Sequence, residues 1–156
     1  MKSNPVRSKS LLLLFSLIFA GLFTLPASAQ ENRVTVESTH SYEQTVNKLK
    51  EAVSHGGMMV MAQVDQGHML SMTGLNLKAT LFLVGNPTVG KKLFDQNHGV
   101  GLYVPLRVFV YEANGKTFVS YDKPSSLLEQ FNDKQINMVA KMLDQKVEGL
   151  AQMATH

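Results

Sequence analysis

A glycine- and lysine-rich turn is the first segment of this sequence whose residue types could do chemistry. Residues 85–92 read GNPTVGKK and nearly match a phosphate-binding loop, in which backbone amides and a lysine hold the phosphates. That loop needs Ser or Thr at its last position to hold magnesium, and Lys92 stands there, which argues against nucleotide hydrolysis. Asn86, the amides near Gly90 and the Lys91 ammonium could still bind an anion at a helix start. A purely structural turn is the alternative, and the sequence favours it.

A second candidate site combines imidazole and thioether side chains, the ligand types that suit copper(I). His68 and Met72 stand four residues apart, which places them on one face of a helix, and Met69 lies between them. The methionines of residues 58–61 alternate across a predicted strand, so their side chains cannot converge on one ion. His68, Met69 and Met72 are therefore the candidate metal ligands, although ordinary packing is the favoured role of methionine in this chain. We expect no bound cofactor.

A third candidate pair depends on a β-hairpin. Asn114-Gly115 is a dipeptide that adopts positive φ at both central positions of a type I′ turn, so it predicts a hairpin. Folding the chain at this turn places Arg107 opposite Asp122. The two side chains could orient a polar ligand at the mouth of a groove. The favoured alternative is an ordinary cross-strand ion pair, worth less than about 1 kcal/mol when exposed.

Nothing in the sequence predicts catalysis. There is no Ser-His-acid order, no HExxH motif and no paired-carboxylate spacing. The chain contains no cysteine, which excludes disulfides, thiolate catalysis and cysteine metal sites. We therefore predict no catalytic residue, and a non-enzymatic protein is favoured over an enzyme of unknown reaction.

The first 29 residues have the pattern of a secretory signal peptide. Three basic residues precede an apolar run at residues 11–25, and Ala27-Ser28-Ala29 is a small-residue cleavage site. We expect cleavage after Ala29 and a periplasmic or secreted protein of residues 30–156, free of the membrane. A retained anchor is the alternative, but the apolar run is short for a membrane-spanning helix.

Removal of this leader changes the charge balance. The whole chain has 15 basic and 12 acidic residues, and three of the basic residues belong to the leader, so residues 30–156 have no formal net charge. The basic isoelectric point of the whole chain is therefore no sign of nucleic-acid binding.

Apolar periodicity predicts one α+β domain over residues 30–156. Ser41 and Gln44 match a capping box at the start of a helix that ends at Gly56-Gly57. Strands are predicted at 33–38, 58–64, 78–84, 102–112 and 116–122, a short helix at 91–96, and a long helix at about 132–153. This order predicts a two-layer β-α-β4-α fold, in which an antiparallel-rich sheet carries both long helices on one face.

The hairpin strands are apolar on both sides, which two helices on one face cannot bury. One side carries Phe109, Tyr111 and Phe118, and the other carries Val108, Val110, Val119 and Tyr121. A large uncovered apolar face on a soluble protein marks a partner or ligand surface, and a second copy of the chain is the commonest partner. We therefore expect a homodimer that forms through the sheet.

Short motifs in this order resemble a known family. They are VGNP at 84–87, PLRV at 105–108, VYE at 110–112 and VSYDKP at 119–124, together with the Ser41-Tyr42 helix start and the GLNL turn at 74–77. Over roughly residues 33–130 the chain resembles the family called domain of unknown function 302, and the helix beyond Asn132 looks longer than the family pattern. The resemblance implies a TATA-binding-protein-like β-α-β4-α fold in compact dimers and no established reaction.

These features predict an envelope protein that acts as a non-enzymatic, dimeric binding or accessory module. The alternative is a periplasmic protein that binds a small ligand or copper(I) in a cleft beside residues 65–74 and 85–93.

Overall fold

A five-stranded antiparallel sheet forms one layer of the computed structural model, which describes residues 32–156. The strands are β1 (Arg33–Ser38), β2 (Met59–Asp65), β3 (Ala79–Gly85), β4 (Leu106–Ala113) and β5 (Lys116–Asp122), and their order across the sheet is β1-β5-β4-β3-β2. The helices are α1 (Tyr42–His55), α2 (Gln66–Ser71), α3 (Pro87–Phe94), α4 (Pro124–Leu128) and α5 (Lys134–Thr155), with 3-10 turns at His98–Leu102 and Glu129–Phe131. The predicted α+β fold is confirmed, whereas the predicted signal peptide and cleavage site lie outside the described residues.

The first helix begins as its sequence predicts. The Ser41 hydroxyl accepts a hydrogen bond from the Gln44 amide, and the Gln44 side chain accepts one from the Ser41 amide, so the capping box is complete. The chain leaves α1 through Gly56 and then Gly57, whose φ of +67° lies in the left-handed region that glycine enters easily. The turn directs the chain back along the sheet into β2.

The hairpin between β4 and β5 has the predicted turn and register. Asn114 and Gly115 have φ of 53° and 75°, as a type I′ turn requires. Tyr111 lies opposite Phe118, as predicted. The pairing of β4 with β5 ends at Phe109 and Ser120, so the predicted pairing of Arg107 with Asp122 is not part of the ladder.

One face of the sheet is buried beneath α1 and α5. Phe82, Val108, Val110 and Val119 have no accessible surface there. The helices contribute Leu49, Ala52 and Val53 from α1 and Ile136, Ala140, Leu143, Val147 and Leu150 from α5. These residues of α5 therefore belong to the core, whereas Val139 beside them is only partly buried.

The edge strand β2 changes faces along its length. Val60 lies opposite Val84 on the helix-covered side, but Val64 lies opposite Leu81 on the other side. In a regular strand, Val60 and Val64 would share a face because they are four residues apart. A bulge between Val60 and Ala62 inserts one residue and reverses the alternation.

The structure differs from the sequence prediction in four local details. The helix predicted at 91–96 is α3, which begins earlier because Pro87 fits the first helical turn. The strand predicted at 102–112 begins only at Leu106, because the 3-10 turn at His98–Leu102 and Pro105 precede it. The short helix α4 was not expected, although Pro124 is again at its start. The cap of α5 is Asp133, which accepts from the Ile136 amide, while Asn132 takes a left-handed conformation before it.

Candidate functional site

The sheet face opposite α1 and α5, called the outer face below, carries a row of aromatic rings. Phe109 stacks on Tyr111 at 5.0 Å between ring centroids, and Tyr111 stacks on Phe118 at 5.4 Å. All three side chains are partly exposed. The strands place them there by simple alternation, since their neighbours Val108, Val110 and Val119 point to the buried side.

A groove with a volume of about 420 Å³ opens on this face beside the aromatic row. Its walls include Arg33, Arg107 and Asp122. Gln66 of α2 is the one lining residue that belongs to a helix. The floor contains a short hydroxyl hydrogen bond, 2.6 Å between Thr35 Oγ1 and Ser120 Oγ. The groove therefore combines apolar surface with polar groups that could contact a ligand.

The charged pair in the groove differs from the predicted one. Asp122 accepts two hydrogen bonds from the Arg33 guanidinium, at 2.9 and 3.2 Å. This hydrogen bonding and the attraction between the charges raise the pKa of Arg33 above its ordinary value. Arg107 is exposed and has no ion pair within residues 32–156. The partner of Asp122 lies on the neighbouring strand β1, which is not part of the hairpin.

The turn at residues 85–92 uses its polar groups within the fold. The Asn86 side chain accepts from the Thr88 and Val89 amides at 2.8 and 3.2 Å, and its amide nitrogen donates to the Gly57 carbonyl at 2.8 Å. The Gly90 amide donates to the Asn86 carbonyl, and the Lys91 ammonium pairs with Asp95 at 2.6 Å. These bonds occupy the groups that an anion would need, which favours the structural interpretation of this turn.

An apolar cavity of about 160 Å³ lies next to the same turn. Helix α3, the start of β2, the end of β3 and the start of β4 line it, together with Leu143 of α5. The sequence predicts a cleft beside residues 65–74 and 85–93; the cavity lies beside the second of these segments, and no residue of 65–74 lines it. Its apolar lining was not predicted, because the residues that form it are distant in sequence.

The predicted metal ligands lie at the surface. His68 and Met69 belong to the six-residue helix α2 and Met72 follows it, with exposed fractions of 54% for Met69 and 77% for Met72. Within residues 32–156, no three His, Asp or Glu side chains come close enough to hold a metal ion together. Copper(I) binding at His68, Met69 and Met72 stays a prediction.

The other shifted pKa values keep each group in its ordinary charge state at neutral pH. Burial raises the pKa of Tyr42 and of Tyr121. A hydrogen bond between Lys78 and Glu43 lowers the pKa of Glu43 and raises that of Lys78. These directions are typical of structural contacts and leave the described residues without an evident general acid or base.

None of the helices in the described part of the chain combines the length and the hydropathy of a membrane-spanning segment.

The sequence is similar to proteins with longer chains. It is 33% identical over 99 residues to the fluoride-specific ion channel FluC 1 of Brucella suis biovar 1 (strain 1330). This match covers 62% of this chain and 39% of that protein. The FluC 1 protein of Brucella abortus biovar 1 (strain 9-941) is also 33% identical over 99 residues, with 62% and 37% covered. The chain thus spans about two fifths of the length of these curated relatives.

The fold is similar to that of a solved structure, the uncharacterized conserved protein DUF302 from Bacillus stearothermophilus. The TM-score is 0.74 at 23% sequence identity, and the match covers 79% of this chain and 98% of that one.

The family model described as "Domain of unknown function DUF302" matches residues 34–154. The match continues through nearly all of α5, so the helix beyond Asn132 belongs to the family pattern and is not an extension of it. By this match the chain belongs to the DUF302 family.

Proposed function

We propose that this protein is a non-enzymatic binding module that forms a homodimer through the outer face of its sheet. The observation that carries the proposal is the stacked row of Phe109, Tyr111 and Phe118 on the face opposite the two long helices. Aromatic side chains contribute much of the energy of protein interfaces, because each removes a large apolar area from water at little entropic cost.

The area that remains exposed supports association. Both sides of β4 and β5 are rich in apolar residues, but α1 and α5 lie on the same side and bury only one. The other side is left with three partly exposed rings beside Leu81, which also lines the groove. An apolar surface of this kind, rimmed by charged residues such as Arg33 and Glu37, is typical of an interaction site.

A second copy is the partner that the charges favour. Residues 30–156 carry equal numbers of basic and acidic residues, so two copies do not repel each other at long range. A twofold arrangement sets the same surface against itself, and a row of flat rings is suited to such self-complementary contact. No separate charged partner is needed to explain the face.

The relatives support an accessory role. In the FluC proteins of Brucella, the similar region makes up about two fifths of the chain, so a domain of this kind occurs joined to other segments. We infer that the present chain serves a larger system in the periplasm or outside the cell, where the signal-peptide pattern of residues 1–29 directs it.

Sedimentation velocity tests the dimer. The chain beginning at Gln30 is suitable, because residues 32–156 contain all five strands of the described sheet and the helices that cover it, and the structural match covers 98% of the solved Bacillus stearothermophilus chain. At micromolar concentration we expect a dimer, which Phe118→Lys and Tyr111→Glu convert to a monomer because each introduces a charge that the interface would bury.

Met138→Lys is the matched control, since Met138 is 56% exposed on α5, on the opposite side of the molecule. This variant should remain dimeric. A monomeric parent protein, or dimers that persist in both outer-face variants, would overturn the proposal.

A second candidate function is binding of a small polar ligand in the groove of the outer face. The exposed guanidinium of Arg107 favours it, since this cation has no ion pair within residues 32–156, while the Arg33–Asp122 pair forms the facing wall. A carboxylate is the matching ligand chemistry. Chemical-shift titration with acetate should show saturable changes near Arg107 that Arg107→Gln abolishes; identical changes in the variant would contradict this alternative.

A further inference from the structure

The apolar cavity beside α3 is the strongest unassigned feature of the molecule. Met58, Val84, Leu93, Leu106 and Leu143 form its interior, and each is at most 7% exposed. Met61 and Phe94 also line the cavity and are 43% and 41% exposed, so the cavity opens to solvent beside them. The methionine side chain is flexible and can adapt to a ligand. A pocket of this kind is lined for an apolar ligand.

The polar groups around the cavity are already satisfied. Asn86 is the one lining residue with a polar side chain, and its oxygen and nitrogen are both used in hydrogen bonds to the backbone. The Gly90 amide is bonded within the helix, and the Lys91 ammonium on the same helix pairs with Asp95. A charged ligand would lose its hydration here without a compensating partner, so the chemistry of the cavity selects a neutral molecule.

The size of the cavity sets the size of the ligand. A dry, apolar engineered cavity of about 150 Å³ is known to take up benzene. The cavity here has a volume of about 160 Å³, which is enough for one aromatic ring or a short branched alkyl group.

Two of the lining residues, Gly85 and Gly90, have no side chain. A Cβ atom at Gly85 would contact Met61 and Pro105 at 3.5 Å, and one at Gly90 would meet no atom within 4 Å. Neither position places a side chain in the cavity.

We propose that this cavity is a binding site for a small neutral apolar molecule of about six to nine non-hydrogen atoms, or for a group of that size on a larger one. The site goes beyond the proposed dimer and does not depend on it, because the cavity residues and the aromatic row belong to different surfaces. Binding and association are measured separately, so either proposal can fail while the other stands.

Indole fluorescence tests the site directly. The chain has no tryptophan, so the emission of added indole can be followed without interference from tryptophan. We expect a saturable blue shift as indole enters the cavity, and reversal of the shift by toluene, which competes for the same space. Benzoate, which has the same ring with a negative charge, should leave the shift unchanged. The absence of a saturable shift, or equal competition by benzoate, would overturn the proposal.

Matched variants locate the binding. Val89 lines the cavity from α3, whereas the adjacent Thr88 is exposed and does not. Val89→Phe should weaken indole binding by roughly tenfold or more because the new ring occupies the cavity, while Thr88→Phe should leave binding unchanged. Circular dichroism establishes that each variant is folded. Unchanged binding in folded Val89→Phe would contradict the assignment, and if that variant does not fold, the toluene and benzoate competition on the parent protein decides the matter.

Discussion

The two faces of the sheet are made from alternate residues of the same strands, yet their environments differ. Val108 and Val110 are completely buried, while Phe109 and Tyr111 on the same strand are partly exposed and stack on each other. Residue hydrophobicity alone does not explain the difference, because Phe109 on the exposed side is larger than the buried valines and is also fully apolar. The placement of the helices explains the difference, because α1 and α5 both pack on the same side of the sheet. The comparison teaches that this fold leaves part of its apolar surface for something other than its own core.

Truncating one phenylalanine on each face gives the largest expected contrast. Phe82→Ala should lower the free energy of unfolding by about 3–5 kcal/mol, since Phe82 is fully buried and the surrounding core cannot close the gap. Phe109→Ala on the outer face should cost less than about 2 kcal/mol in the monomer, because its ring already contacts water. Urea unfolding at low protein concentration measures both. Equal losses would show that the outer face is as well buried as the core.

The hydrogen bond between the Thr35 and Ser120 hydroxyls tests how well the outer face excludes water. Ser120 is only 7% exposed and its hydroxyl contacts that of Thr35 at 2.6 Å. Thr35→Val should cost about 1–3 kcal/mol, because it leaves the Ser120 hydroxyl without a partner away from water. The double variant with Ser120→Ala should recover most of this loss. Additive losses in this double-mutant cycle would mean that water reaches the outer face freely.

The cap of α5 tests how the covered face is held in place. Asp133→Ala should lower the free energy of unfolding by about 0.5–2 kcal/mol, because the Ile136 amide loses its acceptor. Asn132→Gly is the control: this residue has a φ of 50°, which glycine adopts without strain, so the variant should be at least as stable as the parent. Thermal unfolding measures both variants. A larger loss in Asn132→Gly than in Asp133→Ala would place the cap at Asn132 instead.

The smallest effect belongs to an exposed ion pair. Lys78 Nζ lies 2.9 Å from the Glu43 carboxylate, and this hydrogen bond is the main reason why the pKa of Glu43 lies below its ordinary value of 4.5. A carboxyl group with a lowered folded-state pKa stabilises the fold above its ordinary pKa, and this contribution is lost as the pH falls through the lowered value.

Lys78→Met should therefore lower Tm slightly at pH 7, and the difference from the parent should shrink as the pH falls below 4.5. A nuclear magnetic resonance titration should find the pKa of Glu43 returned toward 4.5 in the variant. A Tm difference that grows in acid would contradict this account.

The sequence predicts the elements of this fold better than it predicts their ends. The Ser41 capping box, the Asn114-Gly115 turn and the apolar periodicity of α5 are local patterns, and all three are present in the structure. The start of α3 was predicted at residue 91, whereas the helix begins at Pro87, which fits a first helical turn. The bulge in β2 has no local signal, since every residue near Val60 is apolar or small and fits either face.

The candidate site was less predictable, because its contacts join distant segments. Arg107 and Asp122 both line the groove, but they do not form the ion pair that the hairpin register predicted. Arg33, the partner of Asp122, is 89 residues away in sequence and comes next to it only when β1 pairs with β5. The apolar cavity likewise requires α3 and α5 to meet, and the periodicity of either helix alone does not show that.

The bulge in β2 also determines how this sheet can grow. An uninterrupted edge strand offers a regular row of amides and carbonyls to a strand from another molecule, which is how fibrous aggregates begin. At Val60 and Ala62 that row loses its regular spacing, and β1 at the opposite edge carries the charges of Arg33 and Glu37. Regular sideways extension of the sheet into a fibre is therefore disfavoured at both edges, which leaves the outer face as the surface that the proposed dimer would use.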